Sequence, residues 1–144
     1  MLYLALAWSS LILGGMLYVM FRSADPVFFR WIRFLGFCDN LTNLREHSLI
    51  WVHIFPSWFI YSLPNGLWAF SYTLIVIVIW SGSKSWLRYI WYASVPLLVF
   101  GFELLQLTGI IRGTFCLWDL TFGAGGIFIG WLINNKKYLG RIRS

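Results

Sequence analysis

The sequence predicts an all-α membrane protein: a bundle of about four transmembrane helices, with interfacial or re-entrant helical segments between the first and second spans. Of its 144 residues, 60% are hydrophobic and only 11% are charged, whereas soluble domains carry roughly 25% charged residues. The apolar residues form runs close to the ~20 residues that a helix needs to cross a bilayer. Basic residues follow the last run, as is typical of a cytoplasmic flank. At this length we expect a single domain over residues 1–144.

The first element is the apolar run over residues 2–21, which is long enough to cross the ~30 Å hydrocarbon core of a bilayer. A signal peptide begins with basic residues and has a shorter apolar core, so this run predicts a retained span. Its small residues Ser10, Gly14 and Gly15 predict close contact with another helix.

A short basic and aromatic segment follows the first span. Asp25 and Pro26 are typical of a helix start, because an N-cap residue is followed by a first-turn proline. They predict a helix over residues 26–35, with aromatic residues on one side and Arg30 and Arg33 nearer the other. We expect such a helix to lie in the membrane interface.

Residues 48–63 are apolar, but they are interrupted by Pro56 and followed by Pro64. A proline inside so short a run favours an interfacial or re-entrant segment that packs on the bundle; a tilted span is the alternative. The sequence Pro64-Asn65-Gly66 is typical of a turn. The second span is therefore expected to begin at the end of that turn.

Three further spans account for the rest of the apolar sequence. They are predicted over residues 66–80, 86–107 and 115–133. The polar sequence SGSKS over residues 81–85 predicts the turn between the first two of them. Thr114 is a candidate N-cap for the last.

The distribution of basic residues predicts the orientation of the bundle. Cytoplasmic flanks carry an excess of lysine and arginine, and four basic residues follow the last span: Lys136, Lys137, Arg141 and Arg143. We therefore expect a cytoplasmic carboxyl terminus and, by alternation, an extracytoplasmic loop over residues 108–116. Basic flanks explain the net charge of +6, so nucleic acid is not an expected partner.

Four polar residues stand out in the last two spans and the loop between them. Glu103 and Gln106 are three apart on one helix and share a face. Asp119 lies about one turn into the last span, and Arg112 lies in the loop. Because the loop is short, we expect all four to meet at one membrane face, just below the headgroups on the extracytoplasmic side. An acid at the centre of a span costs about 2.5 to 3.5 kcal/mol, so the cluster predicts a binding site.

Three hypotheses describe what these residues do. In the first, Arg112 contacts an anionic group of a lipid or lipid-linked ligand, and the acids orient it. In the second, Glu103 or Asp119 is a general acid or base acting on a lipid headgroup; no nucleophile is evident, and whether the chain is an enzyme stays open. In the third, the charges clamp helices in a structural or transporter subunit, whose partner is another membrane protein or a second copy. His47 and His53 lack a recognised metal spacing, so neither a metal nor a cofactor is expected.

The pattern E-L-L-Q over residues 103–106, followed by Arg112 and Asp119, resembles the core of the VanZ-like family. These are small membrane proteins related to an accessory teicoplanin-resistance protein. Gly126 and Gly130 match the spacing of two glycines in that core. This pair also has the small-residue spacing that lets helices touch, which predicts a contact of the fourth span with the third or the first.

The resemblance carries one departure and several implications. The family has an asparagine four residues after the aspartate, where this chain has Gly123. The resemblance implies a multi-pass protein of the bacterial cytoplasmic membrane, with a role in the cell envelope and in antibiotic resistance. The ligands that it implies are membrane lipids, a lipid-linked precursor or a lipophilic glycopeptide.

Overall fold

A computed structural model describes residues 1–21, 34, 54–111 and 114–142, with side chains up to residue 134. Within these ranges the chain forms four helices and no strand, which confirms the all-α prediction for this part of the chain. The helices are α1 (Leu2–Phe21), α2 (Ser57–Trp80), α3 (Leu87–Leu107) and α4 (Leu117–Ile142). Apart from Phe34, the predicted interfacial helix over 26–35 lies outside the described residues.

Three of the helices in the described ranges are long and apolar enough to cross a membrane, namely α1, α2 and α3. Their bounds agree with the predicted first span and with the predicted span over 86–107. Helix α4 does not reach the same apolarity, because it carries Asp119 in its first turn and four glycines within residues 123–130. Its helical state is confirmed and extends past residue 133 to Ile142, but its role as a fourth span stays a prediction.

Helix α2 begins at Ser57, so the predicted start at residue 66 is wrong. Pro56 is its N-cap, and Pro64 lies inside the helix. An internal proline removes one backbone hydrogen bond and usually costs about 3 kcal/mol or more. A broken helix in an apolar environment would leave more backbone groups unsatisfied, and Pro64 is fully buried in the bundle. The segment predicted over 48–63 therefore supplies the first turns of α2, while its residues 48–53 lie outside the described ranges.

Helices α1 and α2 run antiparallel and are joined by two reciprocal hydrogen bonds. The Ser10 hydroxyl donates to the Leu67 carbonyl oxygen at 2.9 Å. In the other direction, the Ser71 hydroxyl donates to the Ala7 carbonyl oxygen at 2.8 Å. A serine that bonds across a helix pair in this way adds a modest stabilisation, on average about 0.6 kcal/mol in a membrane.

The small residues of α1 lie at this contact as predicted, with one exception. A Cβ atom on Gly14 would stand 2.7 Å from Trp68 Nε1, so a glycine is needed for Trp68 to pack there. A Cβ on Gly15 would meet nothing within 4 Å. The predicted close contact is confirmed for Ser10 and Gly14, and among the described residues Gly15 has no such contact.

Helices α2 and α4 run parallel and touch backbone to backbone. A Cβ on Gly126 would overlap the Gly66 carbonyl oxygen and the Phe70 amide nitrogen, and one on Gly130 would come within 2.9 Å of Thr73 Cγ2. The predicted close packing at Gly126 and Gly130 is confirmed, but its partner is α2 and not the first or third span. The prediction missed this partner because it assigned Gly66 to a turn.

Helix α3 packs against α2 and α4 over a smaller area. Of its residues, only Val95 and Glu103 are buried. The Tyr72 and Ser94 hydroxyls are 2.8 Å apart and form a hydrogen bond between α2 and α3. Because α3 is in close contact at few points, a cavity remains between it and the α2–α4 pair.

Candidate functional site

A cavity of about 1010 Å³ lies between the first half of α2, the last turns of α3 and the start of α4. Sites for small molecules usually have about 300–1,000 Å³, so this cavity has room for a lipid headgroup or a sugar. Its polar lining residues are Ser57, Tyr61, Ser62, Asn65, Tyr72, Glu103, Gln106, Thr114 and Asp119. The three helix ends beside it belong to one end of the bundle.

Three of the four predicted site residues line this cavity: Glu103, Gln106 and Asp119. The structure therefore brings them together at one end of the bundle, as the short loop led us to expect. Arg112 lies outside the described residues. Thr114, two positions further along, lines the cavity, and α4 begins at Leu117, so the prediction of Thr114 as its N-cap is wrong.

Glu103 connects α3 to the start of α4. Its side chain is only 6% exposed, and its Oε2 accepts a hydrogen bond from the Cys116 amide at 3.2 Å. Cys116 directly precedes α4, so the carboxyl group satisfies a backbone donor at the entry to that helix. One function of Glu103 is therefore to hold the α3–α4 corner.

Asp119 differs from Glu103 in its hydrogen bonding. Its Oδ1 is buried and has no hydrogen-bond partner among the described residues. Its carboxyl group lines the same cavity as that of Glu103. A buried acceptor without a donor costs about 1–3 kcal/mol, and more when it is charged. Asp119 thus has an unused acceptor at the cavity.

The end of α3 has the local structure that turns the chain back toward the cavity. Gly109 has a φ of +75°, a conformation that glycine adopts without strain. Its amide donates to the Gln106 carbonyl oxygen at 3.0 Å, and the Ile110 amide donates to the Leu105 carbonyl oxygen at 3.1 Å. This pair of bonds is a Schellman motif, which ends a helix and satisfies its last carbonyl groups. The chain can then return to Thr114 and place α4 beside the face that carries Glu103.

Helix α2 supplies a polar face that the sequence analysis missed. Ser57, Tyr61 and Asn65 follow one another at intervals of four, and all three line the cavity, as expected for one face of a helix. Ser62 is fully buried, and its hydroxyl oxygen has no hydrogen-bond partner among the described residues. This periodicity was hidden because the sequence was divided at Pro64. Treating residues 57–80 as one helix would have revealed it.

Two tryptophans pack against each other at the amino-terminal ends of α2 and α4. The rings of Trp58 and Trp118 are stacked with their centroids 4.7 Å apart and an interplanar angle of 21°. Both residues line the cavity. Tryptophan is enriched at the level of lipid headgroups, so this pair agrees with a cavity near the membrane surface.

Gly123 occupies the position at which the VanZ-like pattern has an asparagine. A Cβ on Gly123 would overlap Val99 Cγ1 of α3. This chain therefore uses the position for close packing of α3 on α4, and there is no room for an asparagine side chain in the present arrangement.

The described residues offer a hydrogen-bonding site and no metal centre. Within the described ranges, no group of three His, Cys, Asp or Glu side chains could hold a metal ion. His47 and His53 lie outside those ranges. Among the described lining residues the charged groups are Glu103 and Asp119, and none is basic. The arrangement can therefore accept hydrogen bonds from a ligand and orient it through the amides of Asn65 and Gln106.

Comparisons with known proteins found no match: no protein-family model, no curated protein and no solved structure matches this chain. The resemblance to the VanZ-like family stays a prediction from the residues that carry it.

Proposed function

We propose that this chain is an integral membrane protein whose cavity binds the hydrogen-bond-donating headgroup of a lipid or lipid-linked molecule. The observation that carries the proposal is the Oδ1 atom of Asp119, which is buried at the wall of a cavity of about 1010 Å³ and has no hydrogen-bond partner among the described residues. A ligand that donates to this oxygen would remove the cost of leaving it unsatisfied. The buried hydroxyl of Ser62 on α2, which also has no hydrogen-bond partner among the described residues, supports the same conclusion.

The chemistry of the lining restricts the headgroup. The Oδ1 atom of Asp119 is an acceptor, so the ligand must supply the donor. Two groups qualify, the ammonium of an amine headgroup and the hydroxyls of a sugar headgroup. A headgroup without N–H or O–H donors cannot satisfy Asp119, whatever its charge.

The position of the cavity supports a membrane ligand. It lies where α2 and α4 begin and α3 ends, so it is near one face of the bilayer when these helices span it. The basic carboxyl-terminal tail orients this face to the outside. Together with the VanZ-like pattern, this supports an outer-leaflet site in the bacterial cytoplasmic membrane, with lipid-linked precursors and lipophilic glycopeptides as further ligands and an antibiotic-resistance role in the cell envelope.

The test uses three lipids with the same acyl chains. Phosphatidylethanolamine offers ammonium donors, glucosyl diacylglycerol offers hydroxyl donors, and phosphatidylcholine offers neither. Native mass spectrometry of the purified protein should show at least one of the first two retained about tenfold more than phosphatidylcholine, since a hydrogen bond to a charged group is worth about 1.5–3 kcal/mol. Whichever of the two donor lipids is retained more identifies the donor group of the ligand as an amine or a hydroxyl.

The matched variants are Asp119→Asn and, as a control, Ser9→Ala. Asp119→Asn keeps an oxygen that accepts a weaker hydrogen bond, so it should reduce the preference over phosphatidylcholine to about threefold and keep the thermal unfolding midpoint. The Ser9 hydroxyl is exposed on α1 and bonds only within its own helix, to the Leu6 carbonyl oxygen, so Ser9→Ala should keep the preference. Equal retention of all three lipids by the unaltered protein would refute the proposal.

A second candidate function is the structural clamp, which is favoured by the hydrogen bond from Cys116 to Glu103. On this hypothesis the acids serve only to hold α3 on α4. Asp119→Asn would then lower the unfolding midpoint without altering lipid retention. If Glu103 or Asp119 acts as a general acid or base, the purified protein should convert one of the same lipids into a detectable product.

A further inference from the structure

A second, apolar groove of about 550 Å³ runs along the α2–α4 pair. Its walls include Leu63, Phe70 and Ile129. Its polar side chain is Thr121, whose hydroxyl already donates to the Leu117 carbonyl oxygen at 2.9 Å. The described walls of the groove therefore offer no free hydroxyl, amide or charged side chain, which favours an apolar occupant.

The groove and the polar cavity share two lining residues, Trp58 and Trp118. These are the stacked tryptophans, so one aromatic pair separates a hydrogen-bonding compartment from an apolar one. A tryptophan ring suits such a boundary because it has an apolar face and a polar N–H.

We propose that the groove takes the hydrocarbon chain of the same molecule whose headgroup occupies the polar cavity. This inference rests on the proposed function. The ligand is then a single amphiphile, with its donor group at Asp119, its junction at the Trp58–Trp118 pair and its aliphatic chain along α2 and α4. The site selects a ligand by both of its parts.

Gly125 provides a way to fill the groove without disturbing the fold. It lines the groove, and a Cβ built on it would meet none of the described residues within 4 Å. Gly125→Leu should therefore occupy the chain compartment and leave the helix packing intact. Gly101 of α3 is the matched control, because its Cβ also meets nothing within 4 Å and it lines neither compartment.

The experiment uses the protein in bilayer nanodiscs with lipids that carry a photoreactive diazirine in the acyl chain. The headgroup is the donor-bearing one retained best in the test above, and diazirine-bearing phosphatidylcholine is the comparison. Cross-linked peptides are mapped by mass spectrometry. We expect the donor lipid to label the groove walls of α2 and α4 at least threefold more than phosphatidylcholine does. This excess should be lost in Gly125→Leu, reduced in Asp119→Asn and kept in Gly101→Leu.

The outcomes separate the two proposals. If the donor lipid is preferred by native mass spectrometry but labels α1, α3 and the groove evenly, the groove proposal fails and the headgroup site stands. If neither measurement shows a headgroup preference, the proposed function itself fails. A groove labelled equally by both lipids, or closed by a cross-linked second copy of the chain, would also overturn the assignment of a chain compartment.

Discussion

Helix α4 meets its two neighbours in opposite ways. Along α2 the contact is backbone to backbone, with Gly126 against Gly66 and no space for a side chain. Along α3, the Val99 side chain packs on Gly123, and Glu103 accepts a hydrogen bond from the Cys116 amide. Close packing gives the α2–α4 pair a fixed geometry. The α2–α4 pair is therefore the rigid part of the described bundle, whereas α3 is held at few points and leaves a cavity between itself and that pair.

The largest expected effect comes from disrupting the α2–α4 pair. Gly126→Val would place side-chain atoms on the Gly66 and Phe70 backbone, which cannot move aside without separating the helices. We expect a loss of about 3 kcal/mol or more in unfolding free energy. The measurement is unfolding in a single detergent, with Gly125→Val as the adjacent control. Equal midpoints for these two variants would show that α2 and α4 are not in backbone contact.

The next effect comes from the polar corner of α3 and α4. Glu103→Ala removes the acceptor of the Cys116 amide and should cost about 1.5–3 kcal/mol. Glu103→Gln keeps an oxygen that can accept the same hydrogen bond, so it should cost less. Thermal unfolding of both variants checks this ordering. Identical midpoints would mean that the hydrogen bond does not hold the corner.

A smaller effect is expected where α3 packs on Gly123. Gly123→Ala would push against Val99 Cγ1, and because a side chain can yield, the cost should be about 1 kcal/mol. Val99→Ala should relieve the overlap. In a double-mutant cycle, the double variant should therefore lose less unfolding free energy than the sum of the two single variants, by about 0.5 kcal/mol or more. Strict additivity of the two changes would contradict the contact.

The smallest effect belongs to the α1–α2 contact. Ser71→Ala removes one interhelical hydrogen bond to Ala7, and bonds of this kind average about 0.6 kcal/mol in membrane proteins. Ser81→Ala is the matched control, because that exposed hydroxyl bonds only locally, to the Val78 carbonyl oxygen. Urea or thermal unfolding should separate the two by a few tenths of a kcal/mol up to about 1 kcal/mol. A larger loss for Ser81→Ala would reverse the expected order.

The same contrast explains how far the sequence could predict the molecule. Helices α1 and α3 are continuous apolar runs with polar neighbours, so hydropathy located both. The start of α2 was missed because Pro64 and Gly66 are local signals for a turn, and only the packing of both residues in the bundle makes them part of a helix. Tertiary contacts of this kind are not visible in a single sequence.

The candidate site was predictable to a similar degree. Glu103, Gln106 and Asp119 stood out because ionisable and amide groups are rare in apolar segments. The polar face of α2 did not, because serine, tyrosine and asparagine are common and gain meaning only from the phase of the helix that carries them. Ser62 and Asn65 could be assigned to the cavity only after α2 was known to be one helix.

The parallel arrangement of α2 and α4 has an electrostatic consequence. Each helix start carries roughly half a positive charge from its aligned peptide dipoles, and both starts lie at the end of the bundle where the cavity is. The start of α2 has no side-chain cap to screen it, whereas the negative end of α3 is satisfied by its own backbone amides. The backbone therefore offsets part of the charge of Glu103 and Asp119. A ligand that enters this cavity therefore meets two positive helix starts as well as the two acids.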